Sequence, residues 1–306
     1  MDYIGYAGFL PDQYRRESLI DPTPTWWSWR GKRVHVARAS NPDAGVRALA
    51  IHGAGGYSGL LWPLAALAAR EGVDVMAVDL PLYGDTVEPE PSSVRYEDWI
   101  DLLCEFVRAE TKLDDRPLVL FGASMGGMLA YEVAARIGTV AHVVATCLLD
   151  PSDPAARRAA TRWSFTSTAG PVLLRTMVPL LGRVRVPIRW VADMNNMSLD
   201  PALSRACATD PKGGGVQVPL GFLASFLGFR HAPPETFDAA PLTLVAPAAD
   251  RWTPPELSIR FLDRIAGRTD LVLLENCGHF PIEEPGLTQL ATTLRSVLEA
   301  VTDSTM

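Results

Sequence analysis

The sequence predicts an α/β fold, with a mostly parallel central sheet, helices on both faces and an inserted, mainly helical cap. Three observations predict it. Short apolar runs alternate with amphipathic helical patterns through the first 150 residues; the alternation stops between about 151 and 237; and it resumes from 238 onward. A chain of 306 residues can bury a substantial core as one large domain or as one domain with an insertion. The expected organisation is therefore a core of residues 1–150 and 238–306 and a cap of residues 151–237.

Residues 33–37 and 48–52 read as strands, 60–70 as a helix, and 73–79 as a strand followed by the turn Pro81-Leu82-Tyr83-Gly84. Residues 96–110 form an amphipathic helix whose stripe is Trp99, Leu102, Leu103, Phe106 and Val107. A buried strand at 118–121, a helix at 125–137 and a strand at 141–148 follow. Strands at 242–246 and 271–274 close the pattern. Apolar runs of this length, alternating with helices, specify a parallel sheet covered on both faces. The middle segment offers helices and loops rather than strands. The cluster Trp26-Trp27-Ser28-Trp29, beside Pro22 and Pro24, is expected to pack an arm onto the body.

Composition excludes several classes. Apolar residues make up 48% and charged residues 21%, which rules out a disordered or fibrous chain. A net charge of -7 is the wrong sign for a surface that displaces counterions from nucleic acid. No apolar run is long enough to span a bilayer, and Met1-Asp2-Tyr3-Ile4-Gly5-Tyr6 lacks the basic and apolar regions of a secretory leader, so a cytoplasmic location is expected. Cys104, Cys147, Cys207 and Cys277 are widely separated and are expected to be reduced and buried; no metal or organic cofactor is expected.

The chemistry begins at Gly122-Ala123-Ser124-Met125-Gly126-Gly127, which follows an apolar strand at once and opens a helix. A G-x-S-x-G turn in that context forces the serine hydroxyl up out of a tight elbow that tolerates only small neighbours. A serine needs a base that can take its proton at neutral pH. His35 and His142 lie in predicted strands and are expected to be structural, and His231 beside Pro233 and Pro234 is expected at the surface. His279 instead follows a strand on a short loop, Glu275-Asn276-Cys277-Gly278, at the carboxyl edge where sites in open sheets gather. Two carboxylates could orient it: Asp250, on the loop after strand 242–246, is the first choice, and Asp150, after strand 141–148, is the alternative. His52-Gly53-Ala54-Gly55-Gly56 ends another strand, so the amides of Ala54 and Met125 are the expected oxyanion donors, with His52 orienting the loop and Gly53 supporting it.

The ordered set of His52-Gly53, Gly122-Ala123-Ser124-Met125-Gly126-Gly127, Asp250 and Gly278-His279-Phe280-Pro281-Ile282-Glu283-Glu284-Pro285 resembles the α/β-hydrolase superfamily across nearly the whole chain. The elbow, with Met197-Ser198-Leu199-Asp200-Pro201 and Asp210-Pro211 in the cap, is similar to its serine esterase, lysophospholipase and monoacylglycerol-lipase-like group. That resemblance implies cleavage of carboxylic esters. One departure stands out: Asp79-Leu80-Pro81-Leu82-Tyr83-Gly84-Asp85 replaces the more usual basic, glycine-rich turn.

Lactone or amide cleavage would use the same triad. Two further readings come from other classes: a nicotinamide-dependent oxidoreductase using the glycine-rich loop from Gly53 to Gly59, and a non-catalytic binding protein on the same fold. The cap residues Trp163, Phe165, Leu173, Leu174, Met177, Leu180, Leu181, Trp190, Met194, Met197, Phe222, Leu223, Phe226 and Phe229 favour a small, hydrophobic ester as substrate. Gly213-Gly214-Gly215 is expected to be a flexible turn or cap hinge.

Overall fold

The computed structural model describes residues 5–15, 20–160 and 180–304. In chain order the strands are β1 (Thr23–Trp29), β2 (Lys32–Ala39), β3 (Arg47–Ile51), β4 (Asp74–Val78), β5 (Leu118–Gly122), β6 (His142–Ala145), β7 (Arg185–Pro187), β8 (Gln217–Pro219), β9 (Leu242–Pro247) and β10 (Thr269–Leu274). The helices are α1 (Asp12–Arg15), α2 (Ser58–Arg70), α3 (Tyr96–Leu113), α4 (Met125–Ile137), α5 (Pro154–Ala160), α6 (Pro201–Thr209), α7 (Leu220–Gly228), α8 (Pro255–Leu262) and α9 (Gly286–Asp303).

Among the described residues the main sheet runs β1-β2-β4-β3-β5-β6-β9-β10. The first two pairings are antiparallel and the rest are parallel, as the alternation of strands and helices requires. Strands β4 and β9 are buried along their whole length because helices cover both faces, whereas the edge strand β10 leaves Leu271 and Leu273 exposed. On α3 the predicted stripe of Trp99, Leu102, Leu103, Phe106 and Val107 is buried against the sheet and α4. Trp99 is fully buried and its indole N–H donates to Pro81 O at 3.1 Å, so truncating it would cost about 3–5 kcal/mol.

The secondary structure departs from the sequence reading at β1, β6 and the β7–β8 ladder. The Trp26 cluster is not an arm but β1, an edge strand paired with β2 from Thr23 to Trp29. An edge position accommodates Pro24, which has no amide to give to a ladder. The strand expected at 141–148 ends at Ala145, because the Thr146 amide still donates to Gly122 O but the Leu148 amide turns to Ser258 Oγ. The middle segment carries a two-stranded antiparallel ladder, β7 with β8, where only helices and loops were expected. Trp163, Phe165, Leu173, Leu174 and Met177 lie outside the described residues. No described helix is long and apolar enough to cross a membrane.

Candidate active site

Register places the site. Ile51 of β3 pairs with Gly122 of β5, so the turns that leave these two strands emerge side by side at the carboxyl edge of the sheet. At the second turn Ser124 has φ 56° and ψ −127°, a backbone conformation that non-glycine residues avoid. Holding a residue there costs on the order of 1–3 kcal/mol, which the surrounding structure must offset. The flanking glycines make it possible. A Cβ on Gly122 would lie 2.2 Å from Gly126 O, and one on Gly126 would lie 2.1 Å from Ile51 O. The Ser124 amide is held by Thr146 Oγ1 at 2.9 Å, and α4 starts at the next residue.

Asp250 and His279 arrive from the loops after β9 and β10. These loops are tied together, the Ala249 amide donating to Cys277 O at 3.0 Å and that of Ala248 to Leu274 O at 2.9 Å. His279 Nε2 lies 2.7 Å from Ser124 Oγ, and its Nδ1 lies 2.8 Å from Asp250 Oδ2. The Asp250 carboxylate also accepts the Trp252 and Thr253 amides at 2.8 and 2.9 Å and the Thr253 hydroxyl at 2.7 Å. Burial pushes this carboxyl up, but the imidazole beside it and the Thr253 amide and hydroxyl outweigh burial and hold it below the usual carboxylate range. An ionised Asp250 requires the proton on His279 Nδ1, which leaves the Nε2 lone pair facing the serine. The alternative carboxylate, Asp150, turns away and accepts the Ser152 amide at 2.8 Å.

The loop after β3 completes the arrangement. His52 is fully buried; its Nδ1–H donates to Gly53 O at 2.8 Å, and its Nε2 accepts the Leu80 amide at 3.0 Å. With one nitrogen donating and the other accepting, the ring is neutral, and burial lowers its basicity further. Both ring nitrogens are thus engaged, and the ring ties Gly53 to the turn after β4. A Cβ on Gly53 would lie 2.9 Å from the Met125 nitrogen, so only glycine lets the two turns approach. Ala54, Ser124 and Met125 thereby line one pocket.

The rest of that pocket is almost wholly apolar. Leu149, Trp252 and Thr253 come from the sheet edge, Ile188, Val191 and Ala192 from the segment after β7, and Phe222, Leu223, Phe226 and Leu227 from α7. The Trp252 ring lies 4.5 Å from that of His279.

Residues 48–288 match the alpha/beta hydrolase family. This chain belongs to that family. AMB antimetabolite synthetase AmbE of Pseudomonas aeruginosa is 33% identical over 108 residues, which is 35% of this α/β-hydrolase and 5% of that much longer protein. A soluble variant of monoglyceride lipase from Saccharomyces cerevisiae, solved with a substrate analogue, superposes with a TM-score of 0.74 at 16% identity, covering 93% of this chain and 97% of the lipase. A thermostable carboxyl esterase from Bacillus coagulans gives a TM-score of 0.69 at 14% identity over 92% of this chain and 99% of the esterase. At such identities the likeness is one of fold.

The other histidines of the α/β-hydrolase lie away from this line. His35 Nδ1 lies 2.8 Å from Asp79, and His142 Nε2 lies 2.9 Å from Thr243 Oγ1. His231, expected at the surface, is buried, and its Nδ1 lies 3.2 Å from Glu132. The reason is Glu132 itself, a carboxylate inside α4 that must find donors and takes them from His231, the Ala232 amide and Arg136. Among the described residues His35, Asp79 and Asp85 are grouped closely enough to suggest a metal cage. The Asp79 carboxylate is already filled by His35 and by the Ser58 and Asp85 amides, which makes it a tie for the turn after β4. The glycine loop that a nicotinamide site would need is packed by Met125 on one side and by Met194 and Gly213 on the other.

Sequence reasoning found Phe222, Leu223 and Phe226 but missed Ile188, Val191, Ala192, Leu149 and Leu227. Their apolar character carries no signal until residues 188–192 and α7 meet the sheet edge. Trp190, singled out for its size, is exposed, and Phe229 packs on Tyr96 and His231. Thr253, three residues past Asp250, is a further site residue that sequence reasoning missed. Its hydroxyl shares Asp250 Oδ2 with His279.

Proposed function

We propose that this α/β-hydrolase cleaves a carboxylic ester carrying an apolar acyl or alcohol group, through an acyl-enzyme on Ser124. The observation that carries the reading is the line from Ser124 Oγ to His279 Nε2 at 2.7 Å and from His279 Nδ1 to Asp250 at 2.8 Å, opening onto an apolar pocket. His279 takes the hydroxyl proton as Ser124 attacks the ester carbonyl. The amides of Ala54 and Met125 hold the oxyanion, each contributing about 3–4 kcal/mol to the barrier lowering. His279 then returns the proton to the departing alcohol, and water repeats the cycle on the acyl-enzyme. Every step is served by this chain's own side chains and backbone.

The cap, residues 151–237, roofs the pocket through α7 and the segment after β7, and we assign it the selection of the apolar group. Four unpaired, buried cysteines support a reducing compartment such as the cytoplasm. The test is a panel of p-nitrophenyl esters graded by acyl length, with lactones and amides included, together with fluorophosphonate labelling. Labelling and ester turnover that both vanish in Ser124→Ala are expected. Turnover unaffected by Ser124→Ala would overturn the reading, and faster cleavage of lactones or amides than of any ester would replace the substrate class while keeping the triad.

A further inference from the structure

The glycine triplet Gly213-Gly214-Gly215, expected to be a hinge, is close-packed. A Cβ on Gly213 would lie 2.7 Å from Gly55 O, one on Gly214 2.3 Å from Cys207 O, and one on Gly215 2.8 Å from Asp210 O. At Gly213 the turn therefore rests its backbone directly on the backbone of the loop at 53–57, while Gly214 and Gly215 pack the turn onto the end of α6 and onto itself. From the same side Met194 Cε stands 2.1 Å from where a Cβ of Gly55 would be, and Gly55 has φ +79°. On the opposite side the loop meets Ser124 and the Met125 nitrogen. The proposed oxyanion loop is thus held between the elbow and a turn of the cap.

Asp210 fastens this contact. Its Oδ2 accepts the Tyr57 hydroxyl at 2.9 Å and the Tyr6 hydroxyl at 2.7 Å, while its Oδ1 accepts the Lys212 amide at 2.8 Å. Burial and the neighbouring carboxylate push both phenols well up, so both remain donors. Two further ties join the turn to the core: the Gly84 amide donates to Lys212 O at 3.0 Å, and the Lys212 ammonium pairs with Asp85. Within the loop, the Gly56 amide donates to Gly53 O at 3.1 Å. The His52 ring holds the Gly53 end of the loop, but a loop with three glycines and a single bond of its own does not hold the amides beyond Gly53 to within the half ångström that oxyanion binding demands. External support has to do so.

We infer that the cap turn at residues 210–215 is the platform that sets the position of the oxyanion loop, with Asp210 as the positioning residue, so that this part of the cap belongs to the catalytic frame and not to a lid. The role rests on the ester-hydrolase reading above. It assigns a task to Asp210, Tyr57 and Tyr6, none of which lines the pocket, and gives a reason for glycine at position 213.

The test compares Asp210→Asn, which weakens the clasp, with Gly213→Ala, which presses a methyl on Gly55 O and leaves the carboxylate intact. Amide hydrogen exchange of residues 53–57 by mass spectrometry is expected to accelerate about tenfold in both, with unfolding in urea reported alongside to confirm that each variant is folded. On a p-nitrophenyl ester, kcat should fall about 10- to 100-fold with KM within about twofold, because a misplaced oxyanion donor weakens the transition state and not the bound substrate. Affinity for an alkyl trifluoromethyl ketone, whose serine adduct carries an oxyanion, should fall by the same factor as kcat. Exchange at 53–57 unchanged in both variants overturns the platform, whatever the activity, and so does a loss of kcat with full ketone affinity. Absence of ester turnover in the unsubstituted protein, with exchange altered as described, overturns the ester-hydrolase reading and leaves the platform standing.

Discussion

Two buried histidine–aspartate pairs sit on opposite halves of the same sheet. His279 and Asp250 follow β10 and β9 near one edge; His35 on β2 and Asp79 after β4 lie near the other, and in each the Nδ1–carboxylate distance is 2.8 Å. Both carboxylates accept backbone amides as well, from Trp252 and Thr253 in one case and from Ser58 and Asp85 in the other. In each aspartate burial acts to raise the carboxyl, and the histidine and amide donors bring it below its ordinary range. Pairing alone therefore does not make a catalytic base. What differs is the second nitrogen: that of His279 meets a serine hydroxyl raised by a strained elbow, and the His35 pair instead anchors the turn that carries Leu80, whose amide orients His52.

Substitution separates the two pairs most sharply. Ser124→Ala or His279→Ala should lower kcat for p-nitrophenyl esters by on the order of a millionfold, the size found when a triad member is removed. His35→Gln should leave kcat within about threefold while lowering the free energy of unfolding in urea by about 1–3 kcal/mol, since it strips a donor from Asp79. Loss of turnover in a folded His35→Gln protein would erase the distinction.

Asp250→Asn is expected to cost about 10⁴-fold in kcat, by favouring the wrong tautomer of His279, whereas Asp150→Asn should stay within about twofold. Asp250, held below the usual carboxylate range by His279 and the Thr253 donors, is ionised at neutral pH, a charge that Asn removes. A large effect of Asp150→Asn with a small one of Asp250→Asn would reassign the carboxylate.

Enlarging the pocket wall tests the apolar group. Phe226→Trp is expected to shift the preferred ester toward shorter chains, changing the ratio of kcat/KM between a long and a short acyl ester by about 10- to 100-fold. An unchanged ratio would place the selected group elsewhere.

The smallest expected effect concerns stability. Burial lowers the His142 imidazole to about 4 from its ordinary 6.5, so between these values the unfolded chain binds a proton that the folded chain does not. Stability should therefore fall as pH drops through that window, by about 2 kcal/mol between pH 7.5 and pH 5. His142→Gln, which can keep the bond to Thr243, should flatten that part of the dependence measured by urea unfolding. An unchanged slope would mean that another group carries it.

Local pattern and tertiary approach divided the information in this chain. Strand–helix alternation is a one-dimensional property of apolar spacing, so the parallel sheet, the elbow at Ser124 and the loops bearing Asp250 and His279 were legible residue by residue. So was the chain order of Ser124, Asp250 and His279. Features that depend on which surfaces meet were not. Pro24 hid β1 because its tolerance depends on lying at an edge, which is a fact of pairing and not of spelling. His231 read as a surface residue until the buried carboxylate of Glu132 was found opposite it. The glycines at 213–215 spell flexibility, but they give close approach, Gly213 to Gly55 O, Gly214 to Cys207 O and Gly215 to Asp210 O. The choice between Asp250 and Asp150 also needed the folded loops, since both follow parallel strands and only one accepts the imidazole. Sequence determined the parts and their order along the chain because hydrogen-bonded elements are set by neighbours. Tertiary structure decided which parts touch, because a distance of three ångströms between residues 155 positions apart, as for Ser124 and His279, is a property of the packed whole.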